Sequence, residues 1–145
     1  MYQHILIPID GSELSRLGLV NGLALAKALQ ARVTIMTAIE PINVLSAETV
    51  QFASVQQQYE RQARERARQW LADAADQARQ AGVPCDTAIR ENSQPYLSII
   101  ECATQGGCDL ITMSSHGRSG MAAVMVGSQT QKVLTKSKIP VLVYR

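Results

Sequence analysis

The residues with the clearest chemical meaning lie between Leu110 and Ser128, in the run LITMSSHGRSGMAAVMVGS. An apolar stretch, Leu110-Ile111-Thr112-Met113, stops at Ser114 and Ser115. Gly117 follows, then nine residues, then Gly127 and Ser128. Beyond Ser128 the spacing turns helical. A buried strand that ends in small residues and leads into a helix start exposes backbone N–H groups at close range, and the helix N-terminus adds unpaired donors and a partial positive charge. That combination suits a phosphate group, and so a nucleotide. The plainer alternative makes Gly117 and Gly127 ordinary turn glycines and Ser128 an N-cap, a role compatible with phosphate contact.

Other phosphate and catalytic signatures are missing. The chain has no GxxxxGK[ST] and no GxGxxG after its first apolar run, so neither a P-loop nor a dinucleotide fingerprint is present. GxSxG, HExxH and Cys/His zinc spacings are also lacking. His4 and His116 are the two histidines, and neither has a carboxylate close in sequence to form a nucleophile-activating relay.

The elements that must position these residues alternate regularly. The residues HILIPI, 4–9, read as a strand with Pro8 at its end, where a missing donor is tolerated. Gly11-Ser12 turns the chain, and Ser12 is a fitting N-cap for a helix to about Gln30, with Leu17, Val20, Ala24 and Ala28 as its core-facing stripe. Residues 33–39 form a second strand. Residues 42–58 are polar and give no clear period. From Tyr59 a helix carries Ala63, Ala67, Trp70, Leu71, Ala74, Ala78 and Ala81 on one face until Gly82 and Pro84 stop it. Glu60–Arg64 and Arg61–Glu65 are spaced for i,i+4 pairs on its other side, so its arginines read as a solvated face rather than an anion-binding surface. A third strand spans 85–90. Pro95 opens a helix that ends at Gly106-Gly107, a fourth strand spans 109–113, a helix runs from Gly127 or Ser128 through Lys136, and a fifth strand spans 140–144.

Strand–helix alternation with near-continuous apolar strands predicts an α/β fold with a mostly parallel sheet and helices on both faces; an open five-stranded sheet in the order 3-2-1-4-5 is what that fold class implies. In such sheets ligands bind beyond the carboxyl ends of the strands, where the order reverses, so Asp10 and Ser114 are expected side by side in one cleft. Met121, Val124, Met125 and Val126 read as packing against the sheet.

Bulk properties narrow the partners. The chain has 145 residues, a length for a single domain over 1–145. A formal charge of +2 and an aromatic content of 4% argue against nucleic acid or an anionic membrane as partner. No apolar run approaches a membrane span and the first residues do not read as a signal peptide. The three cysteines form no CxxC, which suits free thiols in the cytoplasm.

The residues 114–128 followed by QTQKVLTKSKIPVLVYR, the opening ILIPIDGSELS and the segment Cys108 to Met113 resemble the universal stress protein family across essentially the whole chain. The family's nucleotide motif is similar to Gly, two residues, Gly, nine residues, Gly-Ser/Thr. Gly117, Gly127 and Ser128 match it, and Ser114 stands where the first glycine would be. The resemblance implies a Rossmann-like fold that binds ATP with Mg2+. Pro8, Ile9 and Asp10 would line the floor and ribose side, with Asp10 on the ribose hydroxyls or the metal. Ala38 would flank adenine through its backbone, Met113 and Ser114 would lie near the ribose and α-phosphate, and Gly117, Gly127, Ser128 and the N–H of Gln129 would surround the outer phosphates. Arg118 and His116 either screen phosphate charge or are solvated. Asp10 alternatively caps the following helix. The resemblance also implies a homodimer through strand 140–144, an apolar edge that its flanking lysines do not interrupt.

The leading reading is an ATP-binding regulator of stress responses. A slow ATPase or phosphotransferase is the first rival, with Asp10 as its one strong carboxylate at the cleft. A phosphoacceptor receiver domain fits poorly, because strand three ends Ile89-Arg90-Glu91 and strand five ends Tyr144-Arg145. A nucleotide-free dimeric scaffold rests on Ser114: a serine forced to positive φ costs about 1 kcal/mol, whereas at ordinary φ its hydroxyl is an added donor.

Overall fold

A computed structural model describes residues 1–41, 50–116 and 126–145, with residues 50–52 described by backbone alone. Gly117, Arg118, Met121, Val124 and Met125 lie outside the described residues.

Strands β1 (His4–Pro8), β2 (Arg32–Ile39), β3 (Cys85–Glu91), β4 (Leu110–Ser114) and β5 (Val141–Tyr144) alternate with helices α1 (Glu13–Leu29), α2 (Val50–Ala81), α3 (Pro95–Gln105) and α4 (Ser128–Lys136). The strands form one parallel sheet in the order β3-β2-β1-β4-β5, as expected. β1 and β4 run through the middle and bury almost every residue, while β3 and β5 are edges with partly exposed side chains.

Successive side chains of a strand point to opposite faces, and this divides the core in two. Ile5 and Ile7 of β1, with Val33 and Ile35 of β2, pack under Leu19 and Leu23 of α1 and Leu71, Ala74 and Ala78 of α2. Leu6, Met36 and Ile111 pack on the other face against Ile99, Cys102 and Ala103 of α3 and Val133 of α4. Both faces are thus covered, which is why the central strands read as unbroken apolar runs.

The packed stripe of α1 is not the expected one. Leu17 and Val20 are 44% and 55% exposed, and Ala24 and Ala28 also face outward. The buried face is Ser15, Gly18, Leu19, Gly22, Leu23 and Ala26. Close approach decides the matter: a Cβ on Gly22 would lie 2.8 Å from Ile7 Cδ1 and 2.9 Å from Thr112 Oγ1. The helix approaches the sheet at Gly18 and Gly22, packs Leu19 and Leu23 beside them, and turns Leu17 and Val20 away.

α2 also differs, starting at Val50 rather than Tyr59. At 32 residues it is about 48 Å long, against about 23 Å for the 7-residue β3 beside it. Its first turns outrun the sheet, leaving Val55 60% and Tyr59 41% exposed. Without a core to face, that part of the helix carries no apolar period to detect.

Candidate functional site

A cleft of about 780 Å³ opens beyond the carboxyl ends of β1, β2 and β4, across the point where the strand order switches. Pro8, Ile9, Asp10, Ala38, Met113, Ser114, Gly127, Ser128 and Gln129 all line it. They come from four separate stretches of chain, which the sheet order alone brings together. His116 and Val126 join them, so Val126 faces the cleft rather than only packing on the sheet.

The floor is built at the end of β1. The Ile9 N–H donates to Met36 O at 2.8 Å, carrying the β1–β2 ladder one residue past the strand. The chain then turns at Gly11, whose φ of 80° is left-handed and favours glycine. The indole of Trp70 closes over this glycine, with Cε2 2.4 Å from the position a Cβ would take, so no larger residue fits there. Asp10 Oδ1 accepts from the Ser12 N–H at 3.0 Å, and Ser12 Oγ accepts from the Ser15 N–H at 3.1 Å. Ser12 is therefore the cap of α1, and Asp10 holds the turn before it.

At the end of β4, Ser114 does not sit in the left-handed region: Gln30 is the one non-glycine residue with positive φ among the described residues. The serine is unstrained. Its hydroxyl donates to His116 O at 2.8 Å, and its carbonyl accepts from Thr130 Oγ1 at 3.2 Å. Gly18 makes room for it, since a Cβ there would lie 3.3 Å from Ser114 N.

Gly127 is the N-cap of α4, at ordinary φ and with no side-chain cap bond to the helix; Ser128, expected as a cap, is the exposed first residue of the helix. Gly127 matters for contact rather than conformation. Its N–H donates to Ser115 O at 2.8 Å, and a Cβ would lie 3.2 Å from that oxygen and 3.4 Å from His116 Cδ2. The start of α4 is thus pinned to the turn after β4, with helix-terminal donors at the cleft.

Two walls were not legible in the sequence. α2 contributes Tyr59, Ala63, Arg66 and Trp70, and α3 contributes Pro95 and Ile99. The ion pairs expected along α2 are different ones: Arg64 bonds Glu91 of β3 at 2.7 Å, and Arg68–Glu65 and Arg79–Asp76 are i,i+3 pairs. Arg66 brings a cation to the rim of the cleft.

The opposite end of the sheet is closed. Asp109 accepts from the Gln3 and His4 N–H groups at 2.9 and 3.0 Å, and the His4 ring sits between Thr34 Oγ1 at 2.8 Å and Arg32 at 3.1 Å. Burial, with the nearby Arg32, holds His4 below its ordinary pKa. Cys102 and Cys108 are free and buried, and burial pushes the Cys108 thiol up to about 11, leaving it unreactive. Among the described residues no group of three or more His, Cys, Asp and Glu could hold a metal by itself, and no helix is long and apolar enough to cross a membrane.

A doubly covered parallel sheet with a cleft at its switch point, and a helix N-terminus capped by a glycine at that cleft, defines a doubly wound α/β domain. The chain belongs to the universal stress protein family, whose pattern it matches over residues 1–145. It is 30% identical over 149 residues to the universal stress protein YxiE of Bacillus subtilis, with 100% of both chains covered. In structure it is similar to UspA from Lactobacillus plantarum, with a TM-score of 0.87 at 22% identity, covering 99% of this chain and 98% of that one. It is also similar to the universal stress protein from Archaeoglobus fulgidus solved in complex with dAMP, with a TM-score of 0.69 at 15% identity over 99% and 98% of the two chains.

Proposed function

We propose that residues 1–145 act as one nucleotide-binding domain, a dimeric stress-response regulator in the cytoplasm that holds ATP with Mg2+. The observation that carries this reading is the convergence on one cleft of the β1, β2 and β4 ends with the N-terminus of α4. The cleft volume of about 780 Å³ falls within the roughly 300–1,000 Å³ of small-molecule sites. Met36, Ala38, Ile99 and Met113 offer apolar walls for a base, with the Ala38 backbone at its edge. Asp10 is the carboxylate for ribose hydroxyls or the metal. Gly127, Ser128 and the Gln129 N–H, with Gly117 and Arg118 from the segment outside the described residues, serve the outer phosphates. Since no carboxylate cluster accompanies Asp10 among the described residues, phosphate oxygens and retained waters would supply most of the magnesium's ligands. The nucleotide bound to the Archaeoglobus fulgidus relative supports the same ligand class here. The three free thiols support a reducing compartment.

Dimerisation is supported by β5, an edge strand with Leu142 39% exposed. It runs beside α1, whose Asn21 carbonyl accepts from the Tyr144 hydroxyl and whose Leu17 and Val20 add exposed apolar surface. Light scattering should find a dimer at micromolar concentration, and Val143→Lys should yield monomer or insoluble protein; a wild-type monomer would remove this part of the proposal.

The nucleotide reading is tested by mass spectrometry of the purified protein after incubation with millimolar Mg-ATP and gel filtration. An adenine nucleotide released on denaturation is the expected result. Protein that carries none, and shows no heat of binding on titration with Mg-ATP, would overturn it.

A further inference from the structure

α3 begins with a backbone group satisfied from another helix. Pro95 occupies its first turn and has no N–H, and the side chain of the cap residue Gln94 makes no capping bond to the helix. The first amide donor of the helix is therefore that of Tyr96, and it donates to Gln129 Oε1 of α4 at 3.0 Å. Only the oxygen of the amide accepts from an N–H, so the orientation of the Gln129 side chain is fixed. The same seam carries a second contact, with Lys132 and Lys136 standing 5.4 and 5.9 Å from the Tyr96 ring centre. Gln129 lines the cleft with Gly127 and Ser128, and Pro95 and Ile99 of the adjoining α3 line it as well.

We propose that Gln129 is a positioning residue that couples the phosphate end of the cleft to its α3 wall. Its backbone serves the phosphate end while its side chain holds the start of α3, so that filling the α4 N-terminus fixes the apolar wall against the base. This rests on the nucleotide reading above. The coupling predicts that a ligand lacking a base still orders the base wall.

The test is amide hydrogen exchange by NMR on the full chain, in wild type, Gln129→Met and Gln129→Glu, with inorganic tripolyphosphate and with Mg-ATP. In wild type, tripolyphosphate should slow exchange at Tyr96 and Leu97. In Gln129→Met, exchange at Tyr96 should be faster by about fivefold without ligand, tripolyphosphate should leave it unchanged, and ATP should bind about fivefold more weakly, the effect of one lost hydrogen bond. Gln129→Glu keeps the acceptor and should restore Tyr96 protection in the free protein, a rescue that loss of packing alone does not predict. Wild type that binds both ligands, with Gln129→Met matching it in Tyr96 exchange and ATP affinity, would overturn the coupling alone. Wild type that binds neither ligand would overturn the nucleotide reading and the coupling with it.

Discussion

The two ends of the sheet are built from the same strands and finished in opposite ways. At the amino end, the Asp109 carboxylate takes the N–H groups of Gln3 and His4, and the His4 ring takes Thr34 and Arg32. Polar groups there answer one another, and the end is closed. At the carboxyl end the chain spends its polar bonds on holding loops still: Asp10 on Ser12, Ser114 on His116, Gly127 on Ser115. The N-terminus of α4 has a glycine as its cap residue and so no side-chain cap bond from that position. A polar network that satisfies itself stabilises; the carboxyl-end bonds instead pin a helix start at a cleft, which suits the proposed ligand.

The largest expected effect is at the open end. A Cβ on Gly127 already meets the Ser115 carbonyl at 3.2 Å, and a β-branched side chain would push the α4 N-terminus out of place. Gly127→Val should weaken Mg-ATP binding by at least about a hundredfold, roughly 2.7 kcal/mol, in a protein that stays folded by circular dichroism. Unchanged affinity by calorimetry would detach Gly127 from the ligand.

The closed end should give the converse. Asp109→Ala removes the acceptor of two backbone donors, that of His4 part-buried and that of Gln3 exposed to water, and should lower unfolding free energy by about 1 kcal/mol while leaving ATP affinity as it was. A loss of ATP binding without a loss of stability in denaturant melts would reverse the roles assigned to the two ends.

Acid should act on the closed end as well. Burial and Arg32 hold His4 below its ordinary value of 6.5 in the folded chain. The unfolded chain then takes up the proton first, so stability is full above pH 6.5 and falls as the pH drops below it. Burial works against ionisation of Asp109, but the N–H groups of Gln3 and His4 outweigh it and draw its carboxyl below 3.8; a second decline follows as the pH falls under that value. Denaturant melts from pH 8 to pH 5 should show the first decline in wild type and not in His4→Gln. The same decline in both proteins would mean that another group titrates.

The smallest effect should come from the motif's odd position. Because Ser114 has ordinary φ, Ser114→Gly relieves no strain and removes one hydrogen bond to His116. ATP affinity should change by less than about threefold. A gain of tenfold or more would mean that the serine obstructs the ligand.

The sheet order followed from the fold class that the alternation implies. The strand ends at the cleft were readable because β1, β2 and β4 are short, largely apolar and followed closely by Gly, Pro or Ser. The Gly127-Ser128 helix start was readable for the same reason. The face of α1 was not, since Leu17, Val20, Ala24 and Ala28 carry the helical period as well as the buried residues do. What separates the two stripes is the close approach of Gly18 and Gly22 to β4 and β1, a property of the packed state. The α2 wall was hidden for a related reason: Arg66 and Arg64 look alike in sequence, and only the fold puts one at the cleft and the other on Glu91. The Gln129–Tyr96 bond spans 33 residues and has no local signature.

An NMR titration of labelled protein with Mg-ATP asks in one experiment whether the proposed nucleotide places its phosphates at the start of α4 and leaves the amino end empty. Saturable shifts of the Gly127, Ser128 and Gln129 amides are expected, with those of Gln3, His4 and Asp109 unmoved. Amides 127–129 that stay in place while ATP binds elsewhere, or that never move at saturating ligand, would contradict that placement.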